Sequence, residues 1–234
     1  MVLIDVKNLS KEYGPVKAVD NLSLQVNKGE LFGLLGPNGS GKTTMIKCLT
    51  GQIKPTAGNM HVLGVDVLKD PIRVRELIGI IPEQENPPSF LTAEEYLHFV
   101  AGIRKLKGYE KELDRWFKLL DFEDQRTILC KDLSRGTRQK LMFTQAFLHK
   151  PTLAFIDEPL INLDPLVQRT IKDFLLDYVK KGNTIFMATH ILENAEEVCT
   201  NVCILNKGQL LYQGKPKKNL EDFFVKAVQH AKNT

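Results

Sequence analysis

Apolar and polar positions alternate around Leu22, Leu24 and Val26, pause at a turn at Lys28-Gly29, and give way to the nearly unbroken apolar run Leu31-Phe32-Gly33-Leu34-Leu35. A period of two predicts a half-buried strand, and the continuous run predicts a central strand covered on both faces. Strand-like runs recur at residues 60–63, 78–81, 153–156 and 184–188, separated by segments of helix length with their own start signals. That order predicts an α/β domain on a mostly parallel sheet. Between Pro82 and Pro151 no run reads as a strand and the periodicity becomes helical, which predicts a helical insert. Its first helix is announced by Thr92 with Glu95 three residues later, a capping box, followed by Tyr96, Leu97, Phe99 and Val100. A second runs over residues 110–120 with Leu113, Trp116, Phe117 and Leu120 on one face, a core stripe. Asp164-Pro165 opens a later helix that should run to Lys181 and stop at Gly182.

Composition narrows the class. The chain has 234 residues, 43% hydrophobic and 26% charged, enough for one domain with a subdomain and a sizeable core. Its net charge of +4 is too small to argue for nucleic-acid binding, and none is expected. No apolar run approaches the roughly 18 residues of a membrane span, and the N-terminal residues carry no signal pattern, so neither insertion nor export of the chain is expected. Cys48, Cys130, Cys199 and Cys203 are scattered without paired spacing, which points to free buried thiols in a reducing cytosol. After Leu205 come Lys207, Lys215, Lys217, Lys218, Lys226 and Lys232 against Glu221 and Asp222, either a solvated face or a contact for acidic lipid or protein.

Three constellations carry chemistry. Gly36-Pro37-Asn38-Gly39-Ser40-Gly41-Lys42-Thr43-Thr44 follows the apolar strand and precedes a helical run, a phosphate-binding loop in its required strand–loop–helix setting. Glycines there let successive N–H groups curl around an anion at a helix N-terminus, Lys42 adds a full charge for the β- and γ-phosphates, and the Thr43 hydroxyl suits Mg²⁺. Asp157-Glu158 ends the buried run of residues 153–156, at the carboxyl edge where open α/β sheets bind ligands. An Asp there holds Mg²⁺ and the adjacent Glu polarises a water for in-line attack; a solvated turn is the plainer reading of the pair taken alone. Residues 184–188 deliver Thr189-His190 to the same edge, where the imidazole N–H can donate to a γ-phosphate oxygen. His61, His98, His149 and His230 have no such context and read as structural. Asp164 caps its helix, and that can be its whole role.

Leu133-Ser134-Arg135-Gly136-Thr137-Arg138-Gln139 opens a further helix, with Ser134 as either a plain N-cap or part of an anion site. With this stretch in view the chain resembles the ATP-binding cassette (ABC) transporter ATPases: GPNGSGKTT, LSRGTRQ, LAFIDEP, INLDP and ATH occur in that family's order across nearly the whole sequence. The resemblance implies an α/β fold: a P-loop NTPase core with a mostly parallel sheet, an N-terminal antiparallel β subdomain and an inserted α-helical subdomain. The core would comprise residues 1–84 and 151–234, and the helical signature subdomain residues 85–150. It implies Tyr13 as the adenine-stacking aromatic, an even choice with packing on sequence alone. Asp157 becomes the magnesium Asp, Glu158 the water-activating Glu, His190 the switch histidine and Asp164 the D-loop Asp. Ser134 and Gly136 would serve the nucleotide of a second, head-to-tail cassette.

Three positions depart from the family pattern: Glu83 and then Gln84 follow Pro82 where a Gln is usual, Arg135 and Thr137 alter the signature, and Ile161-Asn162 alter the D-loop. Either Glu83 or Gln84 would face Mg²⁺. With Glu158 and His190 both present, an active Mg²⁺-dependent ATPase is expected, powering transport through separate permease subunits at the cytoplasmic face of the membrane. The permease would dock near residues 83–91, and residues 65–76 resemble the ATPases of ABC-2-type exporters. The rival expectations are a non-transport ABC ATPase and a regulatory nucleotide-binding module.

Overall fold

The computed structural model describes residues 1–84, 86–161 and 163–230; Asn162 and Lys232, and the side chain of His230, lie outside the described residues. Two sheets form the centre. One is four-stranded and antiparallel, with β1 (Val2–Tyr13), β2 (Val16–Asn27), β4 (Ala57–Val62) and β5 (Val65–Asp66) in the order β2-β1-β4-β5. The other is six-stranded, with β3 (Leu31–Leu35), β6 (Ile78–Ile81), β7 (Leu153–Asp157), β8 (Thr184–Thr189), β9 (Asn201–Asn206) and β10 (Gln209–Gly214) in the order β10-β9-β3-β8-β7-β6. All its pairings are parallel except β10 with β9.

The inner strands β3, β7 and β8 of the larger sheet are buried at every position because both faces are covered. In β7, Leu153 and Phe155 join one core, and Ala154 and Ile156 the other; in β8, Phe186 and Ala188 alternate in the same way with Ile185 and Met187. The first core lies against the antiparallel sheet, α1 (Lys42–Leu49) and α2 (Pro71–Leu77). The second lies against α3 (Ala93–Ile103), α4 (Glu110–Leu119), α5 (Arg135–Phe147), α6 (Pro165–Lys180), α7 (Leu192–Val198) and α8 (Leu220–His230).

Local signals act where they were expected. Thr92 and Glu95 form both hydrogen bonds of the capping box, the Asp164 carboxylate accepts from Val167 N–H at 3.0 Å, and Trp116 and Phe117 are buried. One expectation needs correction. Residues 60–63 do not join the parallel sheet: the strand is Ala57–Val62 in the antiparallel sheet, and Leu63 turns out of it at φ 52°. β9 and β10, at which the apolar pattern predicts no strand, extend the main sheet, and α8 packs Leu220 into the core. The four cysteines are free and buried, and burial pushes the Cys48 thiol up to about 11.

Candidate functional site

The carboxyl edge of the parallel sheet brings distant segments together. β3 runs into the phosphate loop, β7 ends in Asp157 and Glu158, and β8 ends in Thr189 before His190. A cavity of about 340 Å³ opens there, lined by Tyr13, Asn38, Gly39, Gly41, Lys42, Thr43, Thr44, Glu83, Asp157 and Glu158 among others. Its wall also holds Val16, Lys17 and Ala18, which the sequence reading did not single out. Half-exposed Tyr13 stands at the end of β1 with Lys11 Nζ 4.9 Å from its ring centre.

The loop's shape depends on two glycines. Gly41 has φ 105°, and a Cβ on it would lie well inside van der Waals contact with Ala18 O. A Cβ on Gly36 would likewise collide with Leu205 O and Ser40 Oγ. No side chain caps α1, so N–H groups of its first turn remain for a ligand, where the helix dipole favours an anion. Lys42 is buried, and its Nζ donates to the carbonyls of Gly36 (2.8 Å) and Pro37 (3.3 Å). Burial lowers its pKa, against the pull of Glu158, Asp157 and Glu83.

Around Thr43 the donor set is all oxygen. Thr43 Oγ1 lies 2.8 Å from Asp157 Oδ2 and 3.3 Å from Glu83 Oε2, while Asp157 Oδ1 is buried without a hydrogen-bond partner. Two carboxylates and a hydroxyl, one of their oxygens orphaned in the interior, suit a hard divalent cation. Glu83 reaches this point; Gln84 lines only an adjoining cavity of about 270 Å³.

Burial drives the Asp157 carboxyl up to about 6, with Glu83 and Glu158 adding to the rise and the Thr43 hydrogen bond and Lys42 opposing it. A carboxyl raised from its ordinary 3.8 holds its proton more tightly folded than unfolded, so the ionised group destabilises the fold above about pH 6. The interval corresponds to about 3 kcal/mol. An Asp157→Asn chain in EDTA is therefore expected to melt roughly 5–10 °C higher at pH 7.5. The gain should shrink as pH falls through about 6 and vanish near 4; calorimetry across that range checks it, and a gain independent of pH would contradict the assignment.

Glu158 occupies a strained position. Its φ is 51°, in the left-handed region, and it is 9% exposed. Oε1 accepts from His190 N–H (2.8 Å) and from His190 Nδ1 (2.6 Å), and Oε2 accepts from Thr189 Oγ1 (2.9 Å). Thr189, 3% exposed, thus orients the carboxylate, a role without a local sequence signal because its partner is 31 positions away. Gln139 is another such residue: buried on α5, it donates from Nε2 to Pro159 O at 3.1 Å and ties that helix to the segment following Glu158.

Ser134 and Gly136 are not brought to this cavity. Ser134 is exposed at the start of α5, where its Oγ accepts from Thr137 N–H at 3.1 Å. Among the other histidines, His98 Nδ1 meets the Tyr109 hydroxyl at 2.7 Å, and His149 Nε2 meets Ile78 O at 3.2 Å. Burial lowers His149 to about 4.

The profile of the ABC transporter family matches residues 19–161. The chain is 34% identical over 228 residues to an uncharacterized ABC transporter ATP-binding protein of Bacillus subtilis (strain 168), covering 97% of this chain and 76% of that protein. It is 36% identical over 220 residues to the Nod factor export ATP-binding protein I of Rhizobium meliloti, covering 92% of this chain and 65% of that one. Among solved structures, an ATP-binding subunit of an ABC transporter superposes with a TM-score of 0.90 at 30% identity, covering 97% of this chain and 99% of the other.

Proposed function

The chain belongs to the ABC transporter family as an ATP-binding, ATP-hydrolysing subunit, and from that premise we propose a Mg²⁺-dependent ATPase that works as a head-to-tail pair of cassettes beneath a membrane permease. The observation that carries this reading is the meeting of the phosphate loop with Asp157 and Glu158 around one cavity. Tyr13 stacks on adenine at the mouth. The backbone of residues 36–41 and the first turn of α1 hold the phosphates, and Lys42 exchanges its carbonyl partners for β- and γ-phosphate oxygens. Thr43, Asp157 and Glu83 would hold Mg²⁺. When bound, the ion polarises phosphate oxygens and offsets their developing charge. Glu158 takes the proton of the attacking water, and His190, its Nδ1 engaged with Glu158, presents Nε2 to the γ-phosphate.

Ser134 and Gly136 serve a partner cassette's nucleotide. Their place at the start of an α-helix, with Ser134 exposed and Gly136 half-buried, away from the chain's own cavity, supports that reading. A division into a core of residues 1–84 and 151–234 and a helical subdomain of residues 85–150 is supported by the order of elements, with α3, α4 and α5 between β6 and β7. Among the described residues no helix is long and apolar enough to cross a membrane. Membership of the ABC transporter family supports a permeation path in separate permease subunits, with the cassette at the cytoplasmic face. Exposed Phe90, Phe99 and Ile103, beside and along α3, offer apolar surface for a permease's cytosolic segment. ATP closing the pair, and hydrolysis releasing it, shifts the permease between two states by binding them unequally. Export is the direction supported by the Nod factor export relative.

The test is steady-state phosphate release across a range of protein concentrations. A rate rising more than linearly with protein is expected, as is its loss in a Ser134→Arg chain that still binds ATP. A linear dependence, with full activity in that variant, would contradict a paired site.

A further inference from the structure

Three carboxylates, Glu83, Asp157 and Glu158, line the phosphate-loop cavity against two lysines, Lys17 and Lys42. Lys17 is already paired with Asp20 at 3.4 Å, and the Lys42 ammonium faces two loop carbonyls. Among the lining side chains a polyanion meets three carboxylates and two ammonium groups, an excess that opposes the N–H groups at the start of α1. The Thr43 hydroxyl has one proton for two acceptors, Asp157 Oδ2 at 2.8 Å and Glu83 Oε2 at 3.3 Å, so one carboxylate always faces the hydroxyl oxygen without a proton between them. Asp157 is 2% exposed, and its Oδ1 has no partner at all. Thr43, Glu83 and Asp157 are also the three residues common to the 340 Å³ cavity and the adjoining 270 Å³ one, so their oxygens stand on a shared wall open to both.

We infer that Glu83, Asp157 and Thr43 form a divalent-cation site that fills before nucleotide arrives, so that the metal prepares the cavity for ATP instead of only entering with it. The inference rests on the Mg²⁺ reading above and concerns the order of binding. Its origin is the carboxylate of Glu83. A neutral amide at that position would leave Asp157 as the one anionic ligand, and Mg²⁺, which sheds its waters reluctantly, is ordinarily held by one or two carboxylates together with substrate phosphates. Two carboxylates and a hydroxyl meet the protein's share of that set without any phosphate. With the ion in place, the triphosphate meets an added positive charge at the point where it otherwise meets two carboxylates.

The experiment titrates Mn²⁺, which takes the same oxygen ligands, into the full nucleotide-free chain and follows loss of the free-ion electron paramagnetic resonance signal. One Mn²⁺ per wild-type chain is expected without nucleotide, with affinity about 10–100-fold weaker in Glu83→Gln. ATP binding measured in EDTA should move the other way and be tighter in Glu83→Gln than in wild type, because one repelling charge is gone. A damaged fold would weaken both, so the opposed signs separate the effect from misfolding. Mn²⁺ that binds wild type only after ATP is added, or equal affinities in the two chains, would overturn this inference and leave the Mg²⁺ reading intact. Mn²⁺ that stays free even with ATP would overturn both.

Discussion

A Glu158→Gln chain is expected to bind ATP about as well as wild type and to release phosphate roughly 10²–10⁴-fold more slowly, the range a positioned general base contributes. The change is nearly isosteric in a buried, fully bonded position. The amide oxygen keeps the two donors of His190 at 2.6 and 2.8 Å, and the amide nitrogen can face Thr189 Oγ1, which already accepts from Ile191 N–H at 3.0 Å. What disappears is the negative charge and the site that receives the water's proton. Phosphate release measured beside ATP binding decides the matter. Turnover within a few-fold of wild type would move the base elsewhere, while lost ATP binding would mean that the strained turn at φ 51° had collapsed. An accumulated ATP-bound pair, seen as a shift in elution volume, should accompany the slow turnover.

Gly41→Ala is expected to lose ATP binding and to melt roughly 5–20 °C below wild type. Gly41 sits at φ 105°, where an L side chain costs about 1–2 kcal/mol, and its Cβ would drive into Ala18 O, adding about 1–3 kcal/mol of overpacking. Because β2 carries Ala18 and α1 begins at the next residue, relief of the clash must separate the phosphate loop from the antiparallel sheet. Each kcal/mol corresponds to about 2–4 °C at this chain length. Gly39→Ala is the control: its φ of 77° strains an Ala, yet nothing lies within 4 Å of the added carbon. Scanning calorimetry and nucleotide binding on the two variants test the claim, and equal losses would show that backbone freedom alone, not contact with β2, is what the loop requires.

Sequence alone was enough wherever the controlling interaction is local. The apolar runs at residues 31–35 and 153–156 became the buried strands Leu31–Leu35 and Leu153–Asp157, Thr92 and Glu95 built their capping box, and Asp164 with Pro165 started α6. The phosphate loop was legible too, because its glycines, lysine and threonine act within nine consecutive residues. Where register breaks, the pattern fails: shifts between Val6 and Leu9 and onward along β1 spoil the period of two, so the first strand gave no clean alternation. The short apolar stretch in β9 resembles a strand no more than a buried helix until Gly33, Leu34 and Leu35 of β3 pair beside it.

Only the tertiary structure decided the finer site. It chose Glu83 over Gln84 beside Thr43, turned Thr189 and His190 onto Glu158, and tied Gln139 to Pro159. It also revealed that Gly36 and Gly41 are small because Leu205 and Ala18 press on the loop. Each of these contacts joins residues far apart in the chain. A hydrogen bond or clash across such a separation exists only once the sheet has set its strand order, and no periodicity or spacing in the sequence encodes that distance.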